Sequence, residues 1–250
     1  MSYNFGDRIA LVTGGGGGIG RSCCEILARE GARVVVTDVT LKTAKETLTL
    51  LPRQDKHMAF ALDVTKKKNI DEVYQSIKTH YGTPPSLLVN CAGILTEIPL
   101  LELNEGSWDL MVDINLKGSF LMTQEFARCL LESGKDVKAA VVNISSMAAR
   151  GVPKWVHYSA SKGGVTSLTK GCAAELASKG IRVNCVSPGP INTNLVVYQG
   201  KQRREEKEKI VPLGREGRPE EVAEVIVFLL SERSSYVVGA SIDVSGGHRM

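Results

Sequence analysis

The stretch Arg8-Ile9-Ala10-Leu11-Val12-Thr13-Gly14-Gly15-Gly16-Gly17-Gly18-Ile19-Gly20 decides the fold. An apolar run leads into a glycine turn. Arg21-Ser22-Cys23-Cys24-Glu25-Ile26-Leu27-Ala28-Arg29-Glu30-Gly31 then follows with the spacing of an amphipathic helix. Strand, glycine turn and helix in that order make the first βα unit of a nucleotide-binding sheet, in which backbone N–H groups at the helix start meet a pyrophosphate. Because five glycines stand in a row, the spacing GxGxxG runs through Gly15, Gly17 and Gly20, and the wider TGxxxGIG through Gly14, Gly18 and Gly20. A flexible glycine linker has the same composition, but it would not stand between an apolar strand and a helix.

Working outward, 250 residues of which 43% are hydrophobic suffice for one α/β domain with a large core. The net charge of +4 comes from 31 basic and 27 acidic residues spread along the chain, too mixed to argue for a nucleic-acid surface. The longest obvious apolar run, Val225 to Leu230, falls short of a membrane span, and only a short polar segment precedes the first strand. Neither secretion nor membrane insertion is therefore expected. Cys23, Cys24, Cys91, Cys129, Cys172 and Cys185 form no CxxC pair and read as reduced core residues. His57, His80, His157 and His248 have no metal-ligand spacing, so no metal site is expected.

The chain then alternates. Arg33 to Asp38 is a second buried strand, and Asp38 comes eighteen residues after Gly20. An acid there accepts hydrogen bonds from the adenosine ribose and repels a 2′-phosphate, favouring NAD over NADP. Asp38 would equally serve as an N-cap for the helix starting near Thr40. The helix Leu41 to Leu51 stops at Pro52, the strand His57 to Leu62 ends in Asp63-Val64, and the helix Lys66 to Tyr81 stops at Gly82 and Pro84-Pro85. Strands that are apolar throughout and separated by helices argue for a parallel sheet covered on both faces. Ser86 to Asn90 is a fourth strand, running into Cys91-Ala92-Gly93, whose small side chains let the backbone approach a flat ligand. Asn90 is alternatively a turn former.

One long helix is predicted from Asn104 to Ser133. Near its middle lies Asp113-Ile114-Asn115-Leu116-Lys117-Gly118, where asparagine and glycine sit against their helix propensities. Asn115 either pairs with backbone and opens the helix locally, or holds a water for proton transfer. A fifth strand, Ala139 to Ile144, ends in Ser145-Ser146, and Tyr158-Ser159-Ala160-Ser161-Lys162 opens another long helix. Spaced four apart, Tyr158 and Lys162 share a face, with ~6 Å of rise between their Cα atoms. An ammonium beside a phenol stabilises phenolate, so the tyrosine is expected to titrate low and act as acid or base. A sixth strand, Ile181 to Val186, reaches Pro188-Gly189-Pro190-Ile191-Asn192-Thr193 on the same carboxyl rim. The charged segment Gln199 to Lys209 reads as a solvated helix face rather than a basic recognition patch, and it could also cover a substrate. The helix Pro219 to Leu230 and the strand Ala240 to Val244 complete the chain before Gly246-Gly247.

These residues in this order resemble the short-chain dehydrogenase/reductase family, and the resemblance covers essentially the whole chain. It implies a single Rossmann-type doubly wound parallel sheet of about seven strands over residues 1–250, with a substrate-loop segment near 190–214. By that resemblance, Gly14, Gly17, Gly18, Ile19 and Gly20 hold the cofactor, Asp38 its ribose and Asp63-Val64 its adenine. Asn90, Ala92 and Gly93 form the strand-four contact, and Pro188, Gly189, Ile191 and Thr193 form the nicotinamide-side turn. Asn115, Ser146, Tyr158 and Lys162 match the catalytic tetrad. Tyr158 would exchange the substrate proton and Ser146 would bind the substrate oxygen. Lys162 would lower the tyrosine pKa and hold the nicotinamide ribose, and Asn115 would hold a water linking Lys162 to solvent.

Pro84-Pro85-Ser86, Pro219-Glu220-Glu221-Val222-Ala223 and an end three residues past Gly247 make the chain most similar, within the family, to 3-oxoacyl thioester reductases and the related type 8 17β-hydroxysteroid dehydrogenases. The resemblance implies interconversion of a secondary alcohol and a ketone with NAD(H). It also implies a homotetramer, or a heterotetramer with a related reductase, pairing the helices at Asn104 to Ser133 and Tyr158 to Lys179. The implied compartment is the mitochondrial matrix, with the cytoplasm as the alternative. Two other readings use the same residues: a sugar or polyol dehydrogenase, and a catalytically idle NAD-binding subunit. Val152, Pro153, Trp155, Val156, Leu195, Val196 and Val197 favour an apolar substrate over a sugar.

Three departures stand out. Cys91 replaces the family's second asparagine, Arg150 stands where a glycine often follows the serine strand, and the serine-to-tyrosine spacing is one residue short. Counting thirteen back from Tyr158 selects Ser145, whereas aligning the strand end selects Ser146 and puts the deletion in the loop Arg150 to Trp155. Loops tolerate deletions better than strands, so Ser146 is chosen.

Overall fold

The computed structural model describes residues 3–134, 138–193, 195 and 210–249. Seven strands form one sheet: β1 (Ile9–Thr13), β2 (Arg33–Asp38), β3 (Met58–Ala61), β4 (Leu87–Asn90), β5 (Ala139–Ile144), β6 (Ile181–Pro188) and β7 (Ser241–Val244). Their order across the sheet is β3-β2-β1-β4-β5-β6-β7, and every neighbouring pair is parallel. The order reverses direction between β1 and β4, which opens a crevice at their carboxyl ends. Register brings Thr13 level with Asn90, and Asn90 level with Asn143, along that rim.

Helices cover both faces. On one side α1 (Gly18–Arg29), α2 (Leu41–Leu48) and α7 (Pro219–Leu230) pack Cys23, Leu27, Ala44 and Ile226 against Val12, Val34 and Val89. On the other, α3 (Lys67–Tyr81), α5 (Gly118–Glu132) and α6 (Val156–Leu176) pack Ile70, Phe126 and Ala173 against Leu11, Leu88 and Val183. Alternate residues of one strand thus enter opposite cores, which is why the strands read as unbroken apolar runs.

Local chemistry explains the element ends. Thr40 caps α2, its hydroxyl accepting from the Thr43 N–H, and α3 stops at Gly82, whose φ of 69° is the left-handed region glycine tolerates. Pro219 opens α7, and the Glu221 carboxylate accepts from the Arg218 N–H at 2.8 Å. The expected helix from Asn104 to Ser133 is corrected in its middle. The chain forms α4 (Glu105–Val112), then a π-helical turn at Asp113–Lys117, then α5. Asn115 lies in this π turn and is fully buried, so the polar residue and the wider turn occur together. The segment Gln199 to Lys209, expected as a charged helix face or substrate cover, lies outside the described residues, as do Val196 and Val197.

Candidate active site

A cleft of about 680 Å³ opens at the carboxyl rim of the sheet. One end is lined by Gly14, Gly17, Gly18, Ile19 and Asp38, and the other by Val152, Trp155, Leu195, Ile210, His248 and Arg249, with Ser146, Tyr158 and Lys162 also in its wall.

At the glycine loop, Gly14 (φ 64°) and Gly18 (φ 49°) take left-handed conformations. A Cβ on Gly20 would stand 2.2 Å from the Gly14 carbonyl oxygen, so α1 can pack against the turn only without a side chain there. Gly17 faces open space at the start of α1, which is the geometry an oxyanion needs to approach backbone N–H groups. The Asp38 carboxylate accepts from the Gly16 N–H at 3.0 Å and so lies at the far edge of the loop. These features fit a dinucleotide. Arg21, which sequence reading passed over, also stands beside the loop, but its guanidinium is engaged by the Gly16 carbonyl and the Thr47 hydroxyl.

The catalytic candidates gather around α6. The Lys162 ammonium donates to the Ile144 carbonyl at 2.7 Å and lies 5.8 Å from the centroid of the Tyr158 ring. The Ser145 hydroxyl donates to the Lys162 carbonyl at 2.9 Å, so the end of β5 and the first turns of α6 are tied in both directions. Ser145 is thereby turned into α6, where it also meets the Thr166 hydroxyl at 2.8 Å. Ser146 stands beside Tyr158, where its hydroxyl pulls the phenol pKa down, and it accepts from the Ala148 N–H at 3.1 Å. The Trp155 ring meets the Tyr158 ring edge-on at 6.0 Å.

Electrostatics correct one expectation. Burial pushes the Tyr158 phenol up to about 12, with the Ser146 hydrogen bond pulling it back, rather than Lys162 drawing it down. Burial also lowers the Lys162 ammonium to about 8, and it lifts the Cys91 thiol to about 11 despite the nearby Lys162 charge. Both shifts follow from removing a charged form from water. At neutral pH Tyr158 is a protonated phenol, Lys162 is largely a cation, and Cys91 is an inert thiol.

Not every residue of interest reaches the cleft. Asn90 donates to Asn143 Oδ1 at 2.8 Å and Thr123 Oγ1 at 3.0 Å, so its side chain belongs to the interior beneath α5. Asp63 accepts from the N–H and the hydroxyl of Thr65, while Val64 packs where a Cβ on Gly118 would be. The Asn115 amide accepts from the Ile94 N–H at 2.8 Å and donates to the Ile94 carbonyl at 3.0 Å. It therefore holds the loop after Gly93 in place with its side chain. Gly93 lies between Asn115 and Lys162, and Pro188, Gly189, Ile191 and Thr193 line the cleft from the β6 side.

Several residues in and around the cleft were not among the site candidates read from the sequence. Thr13 accepts from the N–H groups of Cys91 and Ala92, both at 3.1 Å, and so joins β1 to the end of β4. His157, fully buried, pairs its Nε2 with the Thr96 hydroxyl at 2.8 Å, and burial pushes its imidazole down. His248 and Arg249 reach the cleft from the far end of the chain, a proximity that only the fold creates. Ile94 and Leu95, directly after Gly93, could have been found as an apolar pair following a glycine turn.

The comparisons agree on what this arrangement is. Residues 15–249 match the family described as Enoyl-(Acyl carrier protein) reductase. The (3R)-3-hydroxyacyl-CoA dehydrogenase of Mus musculus is 40% identical over 249 residues, covering 96% of this chain and 95% of that protein. The 3-oxoacyl-(acyl-carrier-protein) reductase FabG of Thermotoga maritima is 38% identical over 246 residues, covering 96% and 97%. A solved structure from Brucella melitensis, titled as a short-chain dehydrogenase/reductase of the glucose/ribitol dehydrogenase type, superimposes with a TM-score of 0.93 at 33% identity, over all of both chains. The fold and cleft define a nicotinamide-dependent oxidoreductase acting on CH–OH groups. The chain belongs to the short-chain dehydrogenase/reductase family.

The geometry separates the two serines. A hydrogen bond to developing charge is worth ~10²-fold or more in kcat, so Ser146→Ala should lose that much turnover while still binding NADH. Ser145→Ala, which removes only a tie to α6, should stay within roughly tenfold of wild type. Steady-state kinetics with NADH-binding fluorescence decide it, and a dead Ser145→Ala beside an active Ser146→Ala would reverse the assignment.

Proposed function

We propose that the protein is an NAD(H)-dependent reductase of 3-oxoacyl thioesters or of 17β-hydroxysteroid-type ketones. The observation that carries this is the Ser146–Tyr158–Lys162 group set in a cleft whose outer wall is mainly apolar, with Val152, Trp155, Leu195 and Ile210 beside His248 and Arg249. A sugar would leave its hydroxyls without partners on such a wall, at a cost of roughly 1–3 kcal/mol for each unsatisfied group. The relatives named for 3-hydroxyacyl-CoA and 3-oxoacyl-carrier-protein chemistry support the thioester reading.

A bound nicotinamide supplies or accepts the hydride. The chain's own groups handle the oxygen. Ser146 orients the carbonyl oxygen by hydrogen bonding, and Tyr158, held protonated by burial, donates its proton as charge develops there. The Lys162 ammonium, 5.8 Å from the Tyr158 ring centroid, faces the phenolate left behind, an attraction that does not outweigh burial. The NAD preference is supported by Asp38, whose carboxylate lies at the loop edge where a 2′-phosphate would meet like charge, and by Arg21 being occupied elsewhere. For assembly, we read the outer face of α5 as an intersubunit surface. Phe120 and Leu131 are 41% and 48% exposed, and their spacing brings them to one helix face.

Three outcomes follow. Nicotinamide absorbance followed over acyl thioesters, steroids and sugars should show turnover with the first two classes and tighter binding of NADH than NADPH, a gap that Asp38→Ala narrows. Sugar-only activity would overturn the substrate reading, and tighter NADPH binding the cofactor reading. On pH, the phenol is the proton donor below about 12, so reduction needs no deprotonation of Tyr158, whereas alcohol oxidation needs phenolate. Oxidation should therefore climb across the alkaline range while reduction does not. Parallel pH profiles in the two directions would contradict this. Light scattering at micromolar concentration should give a tetramer, and a stable monomer would reject the surface assignment.

A further inference from the structure

Arg150, which departs from the family's usual glycine, organises the end of the chain. Its guanidinium pairs with Asp243 at 2.7 Å and also donates to the Arg249 carbonyl. Arg249 in turn donates from Nη1 to the Gly151 carbonyl at 2.9 Å, and the imidazole of His248 meets the Ile210 carbonyl at 3.3 Å. The chain end is thus laid across the loop that follows Ser146, with Arg249 held at φ 59°, outside the ordinary range for a residue with a side chain. So positioned, Arg249 lines the exposed outer lip of the cleft. Among the described residues its guanidinium has one carbonyl partner and no carboxylate, since the neighbouring Asp243 is taken by Arg150. A guanidinium carries five N–H donors in a planar fork suited to an oxyanion.

We infer that Arg249 is a specificity-determining residue that receives the phosphate of the arm carrying an acyl thioester. The inference rests on the thioester reading above and sharpens it. In this arrangement the acyl group would lie along Trp155 and Ile210 with its carbonyl at Tyr158, and the rest of the molecule would leave the cleft over Arg249. A 4′-phosphopantetheine arm ends in a phosphate, whereas a steroid presents no anion there. Arg150 is a positioning residue in this arrangement, because it removes Asp243 from competition and anchors the Arg249 carbonyl.

The test compares KM for the same 3-oxoacyl group on pantetheine, on 4′-phosphopantetheine and on coenzyme A. A charge-assisted contact at an exposed lip corresponds to about five- to tenfold in affinity, so Arg249→Gln should shift the KM ratio between the phosphorylated and the neutral thioester by that factor. Arg249→Lys should recover part of the shift, Arg150→Ala should lose part of it, and added salt should erode the wild-type preference. An unchanged ratio overturns the inference while leaving the thioester reading intact. A shift confined to the coenzyme A thioester moves the contact to the nucleotide phosphates and overturns the assignment to the arm. If wild type reduces none of the three, the thioester reading fails and the inference fails with it.

Discussion

A buried ammonium group needs an acceptor, and Lys162 finds one in the Ile144 carbonyl at 2.7 Å. The Ser145 hydroxyl returns the tie by donating to the Lys162 carbonyl. These two bonds tie the end of β5 to the start of α6, and the Lys162–Ile144 bond is the one that fixes where the ammonium sits. With Ser145 turned inward, Ser146 is left facing Tyr158. With the amine held at the strand end, its charge stays close to the phenol ring without a direct bond to the phenol oxygen.

The sheet order supplies the other half of the constraint. Reversal between β1 and β4 opens the rim, and Thr13 closes the backbone there by accepting from Cys91 and Ala92. Behind the rim, Asn90, Asn143 and Thr169 are linked side chain to side chain, so the ends of β4 and β5 are held to α6 by polar contacts rather than apolar packing alone. The loop carrying Gly93 and Ile94 is held by Asn115 from the π turn. The glycine loop, the Ser146–Tyr158–Lys162 group and a set of apolar side chains therefore share one cleft while coming from widely separated parts of the chain.

Much of this was legible in the sequence because it depends on local spacing. The glycine run, the unbroken apolar strands and the four-residue step from Tyr158 to Lys162 each state their geometry without reference to distant residues. The π turn was not legible. Asn115 advertised an anomaly, but its resolution depends on the Ile94 backbone arriving alongside. The direction of the Tyr158 shift was misjudged for a similar reason, since spacing puts Lys162 near the phenol but burial decides which form of the phenol is favoured. Asn90 was a ligand contact by family resemblance, and strand register points its side chain into the interior. Arg249 and His248 gave no signal, being brought to the cleft by Arg150 from nearly a hundred residues away.

Tyr158 is the group proposed to exchange the substrate proton. The most direct measurement is turnover of a 3-oxoacyl thioester by Tyr158→Phe, with NADH binding followed in the same preparation by nicotinamide fluorescence. A positioned general acid contributes roughly 10²- to 10⁴-fold. The account predicts a loss of that size in kcat with NADH affinity retained. Turnover within a fewfold of wild type would contradict it, because another group of the cleft wall, such as Lys162 or His248, would then have to carry the proton.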